Sequence, residues 1–357
     1  SGTVIFFLDS YCESERKYQV RPTKYEVIVI GAGIIGLSTA MKLLERFPHI
    51  KLAVLEKNSK EGTQQSGHNS GVIHSGIYYR PGSLKADFCV AGRALMTQFC
   101  EENEIPVWTC GKLIAASDAA GVERLAALEE RGTANHVEGL RMVDNDEMAE
   151  IEPHVVALKA LYAPGTGIVD YRNVTAVYAD RVRSAGGEIH FNTELNGSKV
   201  VGGITVLSTS SGDFETTNII NCAGLHSDLV AETMGVETGL RIIPFRGEYY
   251  KLRKESEYLV KGLIYPVPDP AFPFLGVHLT QTMKGWIEAG PNAVLATKRE
   301  GYRKRDFSMS DFLRTITFPG FWKMGVREWK TGVWEINRSL RKSVFLDSLQ
   351  QLVPELT

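Results

Sequence analysis

Four consecutive apolar residues, Val27 to Ile30, run into a glycine-rich turn, and beyond it Leu37, Ala40, Met41 and Leu44 recur at helical spacing. The first run suits a strand buried on both faces, and the second suits a helix with one apolar side. Pro48 helps to end that helix, and "KLAVLE" supplies a further strand, so residues from Tyr25 to Lys57 predict a βαβ unit with its usual right-handed crossover. Three later stretches carry clear patterns. "GKLIAAS" predicts a strand followed by an amphipathic helix over Ala120 to Arg131. From Gly187 to Ala223, short apolar runs alternate with turn residues, which predicts a β-meander that re-enters the sheet at "NIINCAG". "GLIYPVPDPAFPFLGVHLTQTMKGWIEAGPNAVLA" predicts strands separated by proline-rich turns, and Phe307 to Phe321 predicts a helix. The fold class expected is α/β: a Rossmann-like domain with the βαβ unit and the β-meander, and an α+β second domain built on a mixed antiparallel sheet.

Length and charge narrow this picture. A chain of 357 residues is long enough for about two domains. The 40 basic and 42 acidic residues nearly balance, and no basic run is interleaved with aromatics, so nucleic acid is not an expected partner. The longest apolar runs, "VIFFL" and "VIVIGAGIIGL", fall short of the roughly 18 to 20 residues a membrane span needs. Five cysteines, at 12, 89, 100, 110 and 222, form no C-x-x-C pair, so neither a disulfide framework nor a metal site is expected and a reducing compartment fits best. Residues 1–23 precede the first strong strand and are expected to be a leader or extension, although Asp9, Glu13 and Glu15 are atypical of a transit peptide.

The glycine turn brings chemistry. Gly31, Gly33 and Gly36 form G-x-G-x-x-G between a predicted strand and a predicted helix. The first glycine permits the tight turn, the second lets backbone approach a pyrophosphate, and the third lets helix and strand pack closely. Glu56, at the end of the second strand, is placed for ribose hydroxyls. These features indicate a dinucleotide, NAD or FAD. The second strand runs directly into "EKNSKEGTQQSGHNSGVIHSGIYY", residues 56–79, and a second small-residue turn, "NCAG", comes after the meander.

That order resembles the flavin-binding fold of the D-amino-acid oxidase and glycine oxidase superfamily. Within it the chain is similar to the L-2-hydroxyglutarate dehydrogenases, also called L-2-hydroxyglutarate oxidases. The resemblance is carried by "VIVIGAGIIGLSTA", "SGHNSGVIHSGIYYRPGSLKADFCVAG", "PGTGIVDYR", "IINCAGLHSD", "IPFRGEYY", "LIYPVPDPAFPFLGVHLT" and "GPNAVLATKREGY". It implies a discontinuous FAD-binding domain over 24–97 and 160–235, a substrate domain over 98–159 and 236–330, and a return toward the FAD domain over 331–357. It also implies a further segment beyond Thr357 that completes the flavin site. Gln281 and Thr282 stand where the family often has Pro or Arg.

The activity implied is oxidation of L-2-hydroxyglutarate to 2-oxoglutarate, with FAD taking the hydride. Such a reaction needs a base for the hydroxyl proton and cations or donors for two carboxylates. His278 is the preferred base, because an imidazole is available as an acceptor near neutral pH, and His74 and His68 compete with it. Arg246 is the preferred carboxylate anchor, since a guanidinium grips a carboxylate through two bonds; Tyr79 and Tyr265 are further substrate candidates. Ser70 and Gly71 are expected to lie against the cofactor, where larger residues would collide, and Ala223 and Gly224 to form a second backbone approach. Ala32, Lys57, Asn69 and Val72 complete the implied cofactor contacts. His68 has a possible second role as a covalent flavin tether, because "GHNSG" loosely resembles that context in amine-oxidising relatives. The resemblance implies a mitochondrial enzyme or a bacterial one at the cytoplasmic or inner-membrane surface. Its electron acceptor would be a quinone, an electron-transferring flavoprotein or oxygen, and peripheral membrane association stays open. Two other readings remain: a glycine or sarcosine oxidase-like enzyme acting on amines, and a catalytically silent, shortened flavoprotein.

Overall fold

The computed structural model describes residues 23–268 and 276–357, which form two compact units. The expected leader lies outside the described residues, except for Thr23, which already opens a strand.

The first unit comprises the chain up to Glu61 together with Ala179–Thr238. At its centre the strand Thr23–Ile30 pairs in parallel with Leu52–Leu55 on one side and Gly212–Asn221 on the other. Ile28 and Val29 are completely buried, as a strand covered on both faces requires. The helix Ile34–Arg46 buries Leu37, Ala40, Met41 and Leu44, the residues whose spacing predicted it. The meander runs antiparallel through Leu195–Val201, Ile204–Thr209 and Gly212–Asn221, and its last strand returns to the centre of the sheet with Asn221 level with Ile30. Glu188–His190 is no part of that meander. It crosses to the far edge and pairs in parallel with Leu52–Leu55.

The second unit, Gly62–Tyr178 with Gly239–Thr357, is built on a seven-stranded mixed sheet. Its strands lie in the order Phe245–Lys251, Ile287–Leu295, His278–Gln281, Leu263–Pro266, Lys112–Ala116, Lys159–Ala163, Arg141–Val143. Only Leu263–Pro266 and Lys112–Ala116 are parallel neighbours. Alternation along those strands sorts residues onto two faces. Leu113, Ala115, Ile264 and Leu279 face one core, which also takes Phe345, Leu349, Leu352 and Val353 from the C-terminal end. Ile114, Leu263 and Tyr265 face the other, filled by Leu125 and Leu128 of the helix Ala119–Ala134 and by Ile77. Each such leucine contributes about 1.5–3 kcal/mol on leaving water. Asp118 caps that helix by accepting from Gly121 N.

These units divide the chain differently from the expected domains. Val72–Ile73 pairs with Gly167–Val169, which also pairs with Val107–Trp108, so residues 62–97 and 160–178 belong to the second unit. Residues 331–357, expected to return to the first, also belong to the second: Phe345 and Leu349 lie in its core, and Asn292 donates to the Glu335 carbonyl. The single helix expected over Phe307–Phe321 is two, Met309–Ile316 and Pro319–Leu340. Proline at the first helical position favours a new start there. It also disfavours helical backbone at the preceding Phe318, which is extended.

Candidate functional site

In the first unit the glycine turn closes tightly on the end of the returning meander strand. Gly31 N donates to Leu55 O at 2.8 Å, and Cys222 N to Ile30 O at 2.9 Å. Gly31 has φ +106°, and a Cβ there would sit 2.5 Å from Cys222 O. A Cβ on Gly36 would overlap the Gly31 carbonyl. Gly33 caps the helix with no side chain over its N-terminal end, where the partial positive charge of a helix collects. Glu56, only 8% exposed, reaches back to this turn: one carboxylate oxygen accepts from Ala32 N at 2.8 Å, the other from Asn58 N at 2.9 Å and Asn58 Nδ2 at 2.8 Å. The acid therefore braces the glycine turn against the end of the second strand. Lys57 Nζ lies 3.2 Å from His226 Nε2, in the short turn that Ala223 and Gly224 open. A side-chain-free cradle at a helix start, with an acid at the adjoining strand end, fits a dinucleotide with unsubstituted ribose hydroxyls.

His68, Asn69, Ser70, Gly71 and Val72 fall in the second unit. The His68 ring is exposed and stacks on Tyr302 at 3.9 Å, with Nδ1 3.0 Å from Gln64 O. Asn69 folds back onto its own loop, donating to Gln65 O and Ser66 O and accepting from Gly71 N. Gly71 was expected to be small for a cofactor's sake. Its φ of +74° and a Cβ position 2.6 Å from Val169 O give a sufficient reason within the chain, since Val169 N donates to Gly71 O as the two strands pair. The expected cofactor contact at Gly71 is thus not needed to explain the glycine.

The second unit also gathers a polar cluster in an otherwise apolar face. His278, 5% exposed, stacks on Tyr265 at a centroid distance of 3.9 Å and 15° between planes. Its Nδ1 lies 2.9 Å from Gly276 O. A carbonyl only accepts, so in the neutral ring the proton sits on Nδ1 and Nε2 keeps its lone pair. Lys112, level with Leu263 on the neighbouring strand, is 1% exposed. Its ammonium lies over two rings, 4.6 Å from that of Tyr78 and 5.2 Å from that of Tyr265, and no carboxylate among the described residues pairs with it. The Tyr78 hydroxyl is buried without a hydrogen-bond partner among the described residues.

The electrostatics follow from that enclosure. Burial, together with the Lys112 cation, lowers His278 to about 4, against the opposing bond to Gly276 O. His74 keeps a part-exposed edge, but burial, then Lys112 and His278, push it down to about 3. Burial brings Lys112 down to about 7 and raises the Tyr78 and Tyr265 hydroxyls above their ordinary range. Both histidines are therefore neutral near pH 7, and His278 presents a free lone pair to anything that reaches Nε2.

Of the residues expected to act on substrate, His278, His74 and Tyr265 come together. Tyr79 is half-buried, with its carbonyl held by Asn135 Nδ2 at 2.8 Å. Arg246 does not join them: it donates to Glu248 at 2.7 Å and to Arg303 O at 3.1 Å, and Ser339 also donates to Glu248. The anchor read from sequence is committed to an internal ion pair. Lys112 and Tyr78 were missed. A lysine opening the apolar strand "KLIAA" was the available signal, since a charge is rarely placed there without work to do. Among the described residues no group of three or more His, Cys, Asp or Glu could hold a metal, and no helix is long and apolar enough to cross a membrane.

Comparison with known proteins gives the family. Residues 26–333 match the model of the FAD dependent oxidoreductase (DAO) family. The L-2-hydroxyglutarate dehydrogenase of Indibacter alkaliphilus is 48% identical over 333 residues, covering 93% of this chain and 84% of its own length. The mitochondrial L-2-hydroxyglutarate dehydrogenase of Homo sapiens is 42% identical over 347 residues, covering 94% and 75%. Among solved structures, the FAD-bound L-α-glycerophosphate oxidase of Mycoplasma pneumoniae aligns with a TM-score of 0.72 at 22% identity, over 94% of this chain and 80% of that one. Glycine oxidase from Geobacillus kaustophilus aligns at 0.67 and 20% identity, over 84% and 80%.

Proposed function

Because this chain belongs to the FAD-dependent oxidoreductases and, within them, to the L-2-hydroxyglutarate dehydrogenases, we propose that it oxidises L-2-hydroxyglutarate to 2-oxoglutarate with His278 as the base. The observation that carries the assignment of the base is the ring of His278, oriented by Gly276 O and Tyr265 and neutral at working pH. Its Nε2 accepts the proton of the C2 hydroxyl, while stacking on Tyr265 fixes the plane of approach. FAD, when bound, supplies the acceptor for the C2 hydride, which leaves the C2 carbonyl of 2-oxoglutarate. Gly31, Gly33 and Gly36 give the dinucleotide room at the helix start, and Glu56 both braces that turn and offers its remaining lone pairs to ribose hydroxyls. His74, neutral and beside His278, serves as a polar neighbour of the reacting hydroxyl.

An amine-oxidising activity finds less support. A neutral-histidine base suits an alcohol, and the likeness to glycine oxidase extends to fold alone. Mitochondrial location is the reading for this chain on the strength of the human relative's name, and subcellular fractionation tests it. The decisive experiment for the activity is the flavin absorbance spectrum before and after anaerobic addition of each 2-hydroxyglutarate enantiomer, with glycine and sarcosine as controls. Bleaching by the L enantiomer alone is the expected result. Bleaching by glycine or sarcosine instead would replace the proposal with the amine reading.

A further inference from the structure

We propose that Lys112 is a substrate-binding residue: its ammonium, enclosed by Tyr78 and Tyr265 beside His278, receives one carboxylate of the 2-hydroxy dicarboxylate. This rests on the function proposed above and names the group that holds its substrate. Three observations carry it. The ammonium is buried at the start of a central strand, where desolvation of a charge is costly unless something compensates. Among the described residues two aromatic faces compensate it, and they attract a cation less strongly than a carboxylate in the same place would. The Tyr78 ring under the ammonium carries a hydroxyl that is buried without a hydrogen-bond partner among the described residues, a donor suited to the same carboxylate. A buried cation and an unsatisfied hydroxyl together describe the complement of an anion.

The placement also links binding to chemistry. The Lys112 cation opposes protonation of His278 and of His74. A carboxylate that pairs with Lys112 neutralises that cation and so raises the proton affinity of the His278 ring just as the substrate hydroxyl arrives. The base is weak while the site lacks its anion and strengthens when the correct anion is bound. Arg246, tied to Glu248, leaves Lys112 as the cation of this cluster for the task.

The test uses the FAD-loaded protein, wild type and Lys112→Met and Lys112→Arg, titrated anaerobically with L-2-hydroxyglutarate while flavin bleaching is followed. Lys112→Met should retain flavin and raise the half-saturating concentration on the order of 100-fold. Lys112→Arg, which keeps the charge, should recover most of that loss. A half-saturating concentration unchanged in Lys112→Met overturns the proposal while leaving the activity intact. A wild-type flavin that L-2-hydroxyglutarate does not bleach overturns the activity, and Lys112's role with it.

A measurement on the wild type keeps the proposal falsifiable should Lys112→Met fold poorly. Among the described residues the groups that face Lys112 are His74, Tyr78, Cys89 of the helix Leu84–Glu102, Tyr265 and His278. The histidines titrate well below pH 7, and burial holds the tyrosines and the Cys89 thiol above their ordinary 10.0 and 9.0. Between pH 7 and 9 Lys112 alone among them changes charge, so the half-saturating concentration should climb by about tenfold per pH unit. A flat profile across that interval overturns the proposal.

Discussion

Replacing Lys112 by methionine should make the protein more stable, by an amount that depends on pH. In the folded chain burial lowers the amine from 10.5 to about 7. Below pH 7 it is charged in both states, and the folded state bears the full cost of burying the charge. Between pH 7 and 10.5 the unfolded chain binds a proton that the folded chain has released, so wild-type stability rises with pH across that window. The gap between 10.5 and about 7, at about 1.4 kcal/mol for each pH unit, corresponds to ~5 kcal/mol of destabilisation carried at neutral pH and below. Methionine has a similar length and no charge, and it fits between two aromatic rings with favourable sulfur contacts. Urea unfolding of both proteins at pH 6.5 and 9.5 tests the argument, because groups not coupled to Lys112 cancel in the difference and the two coupled histidines, at about 4 and about 3, are neutral in the folded chain at both pH values. The variant should be the more stable by several kcal/mol at pH 6.5, and most of that excess should be gone at pH 9.5. An equal difference at both pH values, or a variant less stable at both, would refute the claim that an enclosed ammonium with no acid partner among the described residues sits here.

His278→Asn should lower kcat by roughly 10²- to 10⁴-fold, the usual worth of a positioned base, with flavin content and KM little changed. A kcat within threefold of wild type would remove His278 from the chemistry. Arg246→Ala should act on stability instead of on substrate. Burial alone would raise the Glu248 carboxyl, and it is Ser339, Arg246 and Lys304 that hold it below its ordinary range. Loss of Arg246 leaves that carboxylate to Ser339 and Lys304 alone and should cost about 1–3 kcal/mol in urea unfolding at pH 7, with KM for the dicarboxylate nearly constant. A large rise in KM at unchanged stability would restore Arg246 as the carboxylate anchor.

The parts of the site that lie close together in sequence were legible before any coordinates. Strand, glycine turn, helix and strand are all contained between Tyr25 and Lys57, and Glu56 is located directly by the spacing. The polar cluster was not, because it draws on residues 74–78, 112, 265 and 278, which only the pairing of Leu263–Pro266 with Lys112–Ala116 and His278–Gln281 brings onto one face. Two other misjudgements had visible signals. Arg246 and Glu248 are two residues apart on a strand and so share a face, which makes an ion pair between them the simplest outcome. Pro319 marks a helix start as plainly as any residue can. Gly71 is different in kind: a glycine required by a neighbouring carbonyl and one required by a ligand look the same in sequence.

The contact of Gly31 with Cys222 bears on how this protein is made. The nucleotide turn is encoded early in the chain, yet its wall is the end of a strand some 190 residues later, which Ile30 O holds through Cys222 N. No emerging nascent chain can build the cradle until the strand Gly212–Asn221 and Cys222 have been synthesised and placed beside the first strand. Formation of the cradle is thus a late, topologically distant event, of the sort that slows folding through the entropy of closing a long loop. The interval before closure leaves one edge of Thr23–Ile30 without its neighbour. A cofactor that binds only the closed form would draw that slow equilibrium to completion, so flavin supply during synthesis should govern yield as well as activity.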